Sequence, residues 1–173
     1  MSIRSQQGSF LLEALVGTVI FAIGAMGMIL LQASSIAIQN DSQYRIEADN
    51  LAGRVLGEIN ITSRTNTGAV NAATLATFSH QPTGGVTTCR LASTDPAANN
   101  DCCNFTGLAS TDSVVTNWVA AVSTAAATRL PGSTSARQQI VVNAANNQVA
   151  VTICWQGPKD ARPRFHSIIG YVN

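Results

Sequence analysis

The sequence predicts an α+β fold in which one long N-terminal α-helix packs against a small antiparallel β-sheet. The chain has 173 residues, and the first proline is Pro82, so nothing in the N-terminal part forces a helix to break. Near the C-terminus, two valine-rich segments alternate apolar and polar residues, which is typical of half-buried strands. The two patterns are far apart in the chain, and this separation of helix from strands predicts α+β rather than α/β.

The long helix is predicted to span residues 9–61 and to begin as a membrane segment. Eighteen residues from Ala14 to Leu31 carry no charge, and together with residues 9–12 they are long enough to cross a bilayer. Residues 9–31 are therefore predicted to be the transmembrane half. A secretory signal has a shorter apolar core. A plain one-pass anchor would explain the length but not the acid within the run.

That acid is Glu13. A charge inside a membrane segment costs about 2.5–3.5 kcal/mol at the helix centre and less near an end. A carboxylate at this position therefore indicates a positive partner. A free amino terminus created by cutting the chain after Gly8 would supply one.

Residues 32–61 are predicted to form the amphipathic half of the same helix. Apolar residues recur there at spacings of three and four, which places them on one helix face. They are Tyr44, Ala48, Leu51, Ala52, Val55 and Ile59. This stripe predicts a helix whose second half lies under a globular head formed by residues 62–173.

The head is predicted to begin with a long polar connection. Residues 62–100 are rich in Thr, Ala, Gly and Asn, with a short helix expected near 69–78. The few residues that we expect to be buried there are Val70, Leu75, Phe78, Val86 and Leu91.

A second helix is predicted at about 112–129. Ser110-Thr111-Asp112 offers N-cap side chains, and Leu130-Pro131-Gly132 is a stop signal.

The sheet is predicted over about 138–172. A hairpin joins 139–144 to 148–155, and 165–172 is the third strand. The apolar residues of the second segment share one strand face, which we expect to lie on the long helix. They are Val149, Val151, Ile153 and Trp155.

Four cysteines follow the apolar run: Cys89, Cys102, Cys103 and Cys154. The exported side of a membrane is oxidising, so disulfides are expected, and three pairings are possible. A bond between the neighbours Cys102 and Cys103 would be strained, which favours one bond each to Cys89 and Cys154. Cys154 points away from the apolar strand face, so its bond would tie the loop to the other side of the sheet.

The sequence gives no indication of catalysis. It has no GxSxG or HExxH motif and no phosphate-binding glycine loop, and neither His80 nor His166 lies in a metal-binding motif. We therefore predict that the protein is not an enzyme and binds no cofactor or metal.

Net charge also gives no indication of a nucleic-acid partner, because ten basic residues face nine acidic ones. One loop is the exception. Lys159, Arg162 and Arg164 could together bind a ligand such as a phosphate backbone. A solvated connection between strands is the simpler interpretation of this loop.

The start of the chain resembles the class III signal of type IV prepilins. Both have a short polar leader, a Gly at the cut and an apolar helix with Glu at the fifth position after it. The resemblance implies that prepilin peptidase removes residues 1–8, that Ser9 is then N-methylated, and that Glu13 pairs with the N-terminal amine of a neighbouring subunit. The family usually has Phe directly after the cut, whereas here Ser9 comes first and Phe10 second.

The C-terminal half is similar to the PilV family of minor type IV pilins. The shared order is a helix bearing Trp118, the turn Leu130-Pro131-Gly132, and a Val-rich strand that ends in Trp155. The resemblance implies a subunit of the pilus tip complex that takes part in priming pilus assembly and supports twitching motility and adhesion.

The implied partners are other minor pilins, the major pilin, prepilin peptidase, the inner-membrane assembly platform and membrane lipid. The implied location is the inner membrane with a periplasmic head before assembly, and the pilus afterwards. A minor pseudopilin of a type II secretion system has the same signal and remains the alternative. A pilin that acts as a DNA-uptake or surface receptor is a further one.

Overall fold

One long helix opens the fold. The computed structural model describes residues 7–64, 68–85, 102–127 and 129–172, apart from the side chains at 7–9, 30, 33, 34 and 37. Helix α1 spans Gln7–Thr62, close to the predicted 9–61. The chain divides into two compact units, of which the first ends at Asp41 and the second begins at Ser42.

The second unit contains the C-terminal part of α1 and the remaining elements. In chain order these are α2 (Ala72–Thr77), β1 (Thr83–Gly84), β2 (Phe105–Thr106), α3 (Ser113–Ala125), a 3₁₀ helix (Ser135–Arg137), β3 (Gln138–Asn143), β4 (Gln148–Trp155) and β5 (Arg164–Tyr171). The α+β class predicted from the sequence is confirmed.

The larger sheet is antiparallel, with β4 between β3 and β5. The predicted hairpin is confirmed as β3–β4, and the predicted third strand is β5. Asn147 in the hairpin turn has φ 51°, a left-handed conformation that Asn tolerates better than most residues. The carbonyl of Asn147 also accepts a hydrogen bond from the Val172 N–H at 2.8 Å, which fixes the chain directly after β5.

The main core lies between α1 and one face of this sheet, which we call the inner face. Val149, Val151, Ile153 and Trp155 are fully buried in the same hydrophobic cluster as the α1 stripe. Of that predicted stripe, Ala48, Leu51, Ala52, Val55 and Ile59 are buried, and Tyr44 is partly buried against them. Burying large apolar side chains contributes about 1.5–3 kcal/mol each, so this contact is the principal stabilising feature of the unit.

Helix α3 begins as predicted and ends earlier. The Asp112 carboxylate accepts a hydrogen bond from the Val114 N–H at 2.8 Å and caps the helix. The C-terminal end is Ala125, so the predicted end at 129 is wrong. The N–H groups of Arg129 and Leu130 both donate to the Ala125 carbonyl at 2.8 Å, and this shared acceptor closes a turn instead of continuing the helix.

The segment Leu130-Pro131-Gly132 attaches this turn to the sheet. The Pro131 carbonyl accepts a hydrogen bond from the Gln156 N–H at 2.8 Å, just after β4. Gly132 has φ +71°, and a Cβ there would come within 3.0 Å of the Gln156 carbonyl oxygen. Glycine is therefore required at this close approach.

The polar connection contains more structure than the sequence predicted. Helix α2 lies within the predicted 69–78, and the Asn71 side chain caps it by accepting from the N–H groups of Ala73 and Thr74. Leu75 and Phe78 are fully buried as expected. Val86 and Leu91 lie outside the described residues. The pair β1–β2 was not predicted, because strands of two residues have no measurable periodicity.

Candidate functional site

The apolar part of α1 is the first candidate site. Residues Phe10–Ile29 have a mean hydropathy of 2.0 over a membrane-length window, and none of that window is buried inside the structure. Twenty helical residues rise by about 30 Å, the thickness of the hydrocarbon layer of a bilayer. This segment is long and apolar enough to cross a membrane.

Glu13 lies in the first turns of this segment and is exposed. Leu12, directly before it, and Leu15, two residues after it, are exposed as well, at 68% and 65%. Within the described residues, Glu13 has no hydrogen-bond or ion-pair partner. Thr18 differs, because its hydroxyl donates to the Leu15 carbonyl at 2.9 Å. The carboxylate of Glu13 is therefore available to a group from outside the chain.

Gly8 and Ser9, the residues of the predicted cleavage site, lie in the first turn of α1. Glycine is less favourable in a helix interior than alanine by about 1 kcal/mol, and the first turn of a helix lacks half of its backbone hydrogen bonds. This end of the helix consequently opens at a lower cost than the helix interior.

A second candidate region lies on the outer face of the sheet, the face opposite α1. Cys103 and Cys154 form a disulfide there, with a sequence separation of 51. Cys103, Cys154 and Phe105 form a separate small buried cluster, and Phe165 packs against it. The disulfide lies on the outer face of the sheet, the face that the strand alternation predicts for Cys154.

The other two cysteines are less fully described. Cys102 is buried and is also disulfide-bonded. Cys89 lies outside the described residues.

Of the three predicted loop cations, Arg164 is paired with an acid of the same loop. The Arg164 guanidinium contacts the Asp160 carboxylate at 2.9 Å, within the same loop. Asp160 also accepts a hydrogen bond from the Gly157 N–H at 3.0 Å. Lys159 and Arg162 are exposed. Because the charge of Arg164 is offset by Asp160, the loop does not present three free cations to one ligand.

The two histidines of the head have different environments. His166 on β5 contacts the Asp49 carboxylate of α1 at 3.0 Å. His80 is 4% exposed, and its Nδ1 accepts a hydrogen bond from the Ser110 N–H at 3.2 Å. Burial lowers the pKa of His80 from its ordinary value of 6.5, and the nearby Ser135 backbone opposes part of this effect. Among the described residues, no cluster of three metal-ligating side chains occurs.

A small cleft lies between α1 and α3 in the second unit. Its volume is about 120 Å³. Small-molecule sites typically have about 300–1,000 Å³, so this cleft is too small for a cofactor. Its lining residues are Leu51, Arg54, Val55, Glu58, Asn117, Trp118 and Ala121.

Comparison of the chain with protein-family models, with curated proteins and with solved structures gives no match.

Sequence reasoning missed two features of the sites. One is Asp160, which neutralises Arg164; its spacing of four residues from that arginine within the loop was the available signal. The other is Gly170 on β5, where a Cβ would overlap the side chain of Leu56 on α1. No sequence pattern identifies that contact, because the two residues are brought together only by the packing of strand on helix.

Proposed function

We propose that this protein is a minor type IV pilin of the PilV kind, which takes part in priming pilus assembly and in the pilus tip complex. The observation that carries the proposal is Glu13, an exposed carboxylate without a partner in the described residues, five residues after Gly8 in a helix of membrane length. The same helix continues into a head whose sheet packs on its amphipathic stripe. A structural subunit with this layout needs no catalytic group.

In the proposed sequence of events, prepilin peptidase cuts between Gly8 and Ser9 and the new N-terminus is methylated. The apolar helix holds the subunit in the inner membrane, with the head in the periplasm, until the assembly platform extracts it. Glu13 then pairs with the terminal amine of a neighbouring subunit. Such a pair is strong only in a medium of low dielectric constant, which the lipid or the core of a filament provides.

The head fits the role of a contact module for other minor pilins and the major pilin. A disulfide, Cys103–Cys154, stabilises it without any ligand. Because Arg164 is engaged by Asp160, the structure gives less support to the DNA-receptor alternative than the sequence did.

Substitution of Glu13 in cells of the source organism tests the proposal. Glu13→Ala is expected to insert into the membrane and to be cleaved normally, while surface pili and twitching decrease strongly. The matched control is Thr18→Ala in the same helix, since Thr18 bonds only within its own turn and its loss should leave assembly unchanged. Normal piliation in the Glu13→Ala strain would refute the proposed role of the carboxylate.

The same strains distinguish a subunit of a pilus from a subunit of a type II secretion system. Loss of surface pili with intact protein secretion supports a minor pilin. Loss of secretion with intact pili would instead show a minor pseudopilin of a type II system.

A further inference from the structure

We infer that His80 is a pH-dependent latch: when its imidazole takes up a proton, the two ends of the connection between α2 and α3 separate from each other and from β3, while the rest of the second unit stays folded. His80 follows α2 closely and lies beside the sheet. Its backbone N–H and C=O both bond to Ile140 of β3, each at 2.9 Å. This inference concerns a conformational change of the head and does not depend on the proposed pilus function.

Hydrogen bonds between the two ends close the base of the connection. The Ser110 N–H donates to Nδ1 of His80 at 3.2 Å, and the Ser110 hydroxyl donates to the Thr77 carbonyl at 2.6 Å. The Gln81 N–H donates to the Leu108 carbonyl at 2.9 Å. Among these donors and acceptors, the imidazole of His80 is the group that titrates near neutral pH.

The bond from Ser110 requires a neutral imidazole. Nδ1 accepts a hydrogen bond only while it carries no proton, so the proton of the ring is on Nε2. In the charged ring both nitrogens are donors, and the Nδ1–H then faces the Ser110 N–H, donor against donor. His80 is 4% exposed, and its buried Nε2 makes no hydrogen bond with the described residues. Protonation in the closed state therefore buries a charge and removes a bond, which favours an open state in which water reaches the ring.

No carboxylate compensates for that charge in the described residues. The strands β1–β4 and the helices α2 and α3 carry no ionisable side chain apart from the disulfide-bonded Cys154. Charged side chains flank them at Asp112, which caps α3, and at Arg137 in the 3₁₀ helix. The Asp112 carboxylate accepts from the Val114 N–H at 2.8 Å, and Arg137 donates to the Gln156 side chain at 3.3 Å. Neither is bonded to the imidazole.

The opening is local. Gln81, directly after His80, has φ 45°, a left-handed conformation that is unfavourable for a residue other than glycine, so this point of the chain relaxes when the base opens. The Cys103–Cys154 disulfide keeps the connection attached to β4. The buried face of α3 and the inner face of the sheet belong to the main core, which the latch does not cross. We therefore expect the base to open while the sheet remains intact.

The direction of the pH dependence follows from the environment of His80. Burial lowers the pKa of His80 from its ordinary value of 6.5, and the Ser135 backbone opposes part of this effect. The closed state therefore binds the proton more weakly than the open state. As the pH falls from 6.5 toward the pKa of the closed state, the ratio of open to closed molecules rises by up to about tenfold per pH unit. Above that range the ring is neutral in both states and the ratio is constant.

NMR spectroscopy of the full chain in micelles of an uncharged detergent, between about pH 7.5 and pH 4.5, tests the inference. The Ser110 amide signal is expected to follow the titration of the His80 imidazole with the same midpoint, below pH 6.5. Exchange of the Gln81 and Ile140 amides, corrected for the intrinsic rate at each pH, should accelerate by up to about tenfold per pH unit, while the Val151 amide at the centre of the sheet is unaffected. A Ser110 signal that does not follow His80, or equal acceleration at Val151, would overturn the inference.

Two variants identify the titrating group. His80→Asn keeps an acceptor for the Ser110 N–H without an ionisable ring and is expected to abolish the pH dependence of the Ser110 signal. The matched control is His166→Asn, which removes the second of the two histidines and is expected to retain it. A change that persists in His80→Asn, or disappears in His166→Asn, would mean that another group is the trigger. The wild-type titration decides the inference even if His80→Asn does not fold, because it needs no substitution.

Discussion

The indole N–H of Trp118 donates a buried hydrogen bond to the backbone carbonyl of Leu51, with an Nε1···O distance of 3.0 Å. Trp118 is on α3 and Leu51 is on α1, so this bond joins two helices of the second unit. A helical carbonyl has a second lone pair besides the one used within the helix, and the indole occupies it. Trp118 therefore packs in the core and also links α3 to α1 by a hydrogen bond.

Replacing Trp118 by Phe should destabilise the head by more than its loss of ring area explains. The bond contributes about 0.5–1.5 kcal/mol to the free energy of unfolding. Trp155→Phe is the matched control, since Trp155 is equally buried but its Nε1 has no hydrogen-bond partner within the described residues. Urea unfolding should show the larger loss for Trp118→Phe. Equal losses would mean that the Leu51 bond contributes nothing.

Gly170 should not tolerate a side chain. A Cβ on Gly170 would overlap the side chain of Leu56, so Gly170→Ala is expected to cost about 1–3 kcal/mol through overpacking. Leu56→Ala should rescue part of that loss, which a double-mutant cycle measures as a coupling of about 1 kcal/mol.

The control for this cycle is Gly57→Ala, one position further along α1. Nothing lies within 4 Å of a Cβ at Gly57, and alanine is the better helix former. Gly57→Ala is therefore expected to stabilise the head. Simple additivity of Gly170→Ala and Leu56→Ala would contradict the packing account.

Removing the Cys103–Cys154 disulfide should cost about 4 kcal/mol or more. The cysteines have a sequence separation of 51, and in the chain-entropy model closing a loop of this length lowers the entropy of the unfolded chain enough to contribute about 4 kcal/mol. The double variant Cys103→Ala/Cys154→Ala, measured by urea unfolding without reductant, gives the value. A loss below about 1 kcal/mol would show that the bond adds little beyond the packing of Phe105 and Phe165.

Stability should fall on acidification below pH 6.5 because of His80. Burial lowers the pKa of folded His80 from 6.5, so the unfolded chain takes up a proton first. The free energy of unfolding then decreases as the pH falls from the unfolded pKa toward the lower folded value, by at most about 1.4 kcal/mol per pH unit. Above that range His80 is neutral in both states and contributes no pH dependence.

His80→Asn isolates this contribution, because its side-chain oxygen can replace Nδ1 as acceptor for the Ser110 N–H. The other ionisable groups titrate in both proteins and cancel in the difference. The wild-type chain should lose stability relative to the variant between pH 7 and pH 5, in a series of urea titrations. If the free energies of unfolding of the two proteins change with pH in parallel, burial of His80 does not oppose its protonation.

The elements with a strong repeating pattern could be predicted from the sequence. The stripe of α1 and the alternation of β4 both follow from burial on one side, and both faces are buried as expected. Elements that depend on a single local bond were predicted less well. Helix α3 ends at Ala125 because two N–H groups share its carbonyl, a choice that no composition signal records.

The predictions of the candidate sites also succeeded where the signal lies in consecutive residues and failed where it depends on the fold. Glu13 was recognisable because a charge in a long apolar run is visible in the sequence alone. Arg164 was grouped with Lys159 and Arg162 because all three are cations in one loop. Only the fold of that loop shows that Asp160 holds Arg164.

The sequence by itself determined that the chain has a membrane-length helix with an isolated acid, an amphipathic continuation and a cysteine-containing α+β head. Those features depend on hydrophobicity and period, which are properties of consecutive residues. The tertiary structure decided that Cys103 pairs with Cys154 and that the backbone of Gly170 packs closely against the side chain of Leu56. These facts depend on which distant residues meet, and the packing of the sheet on α1 settles that.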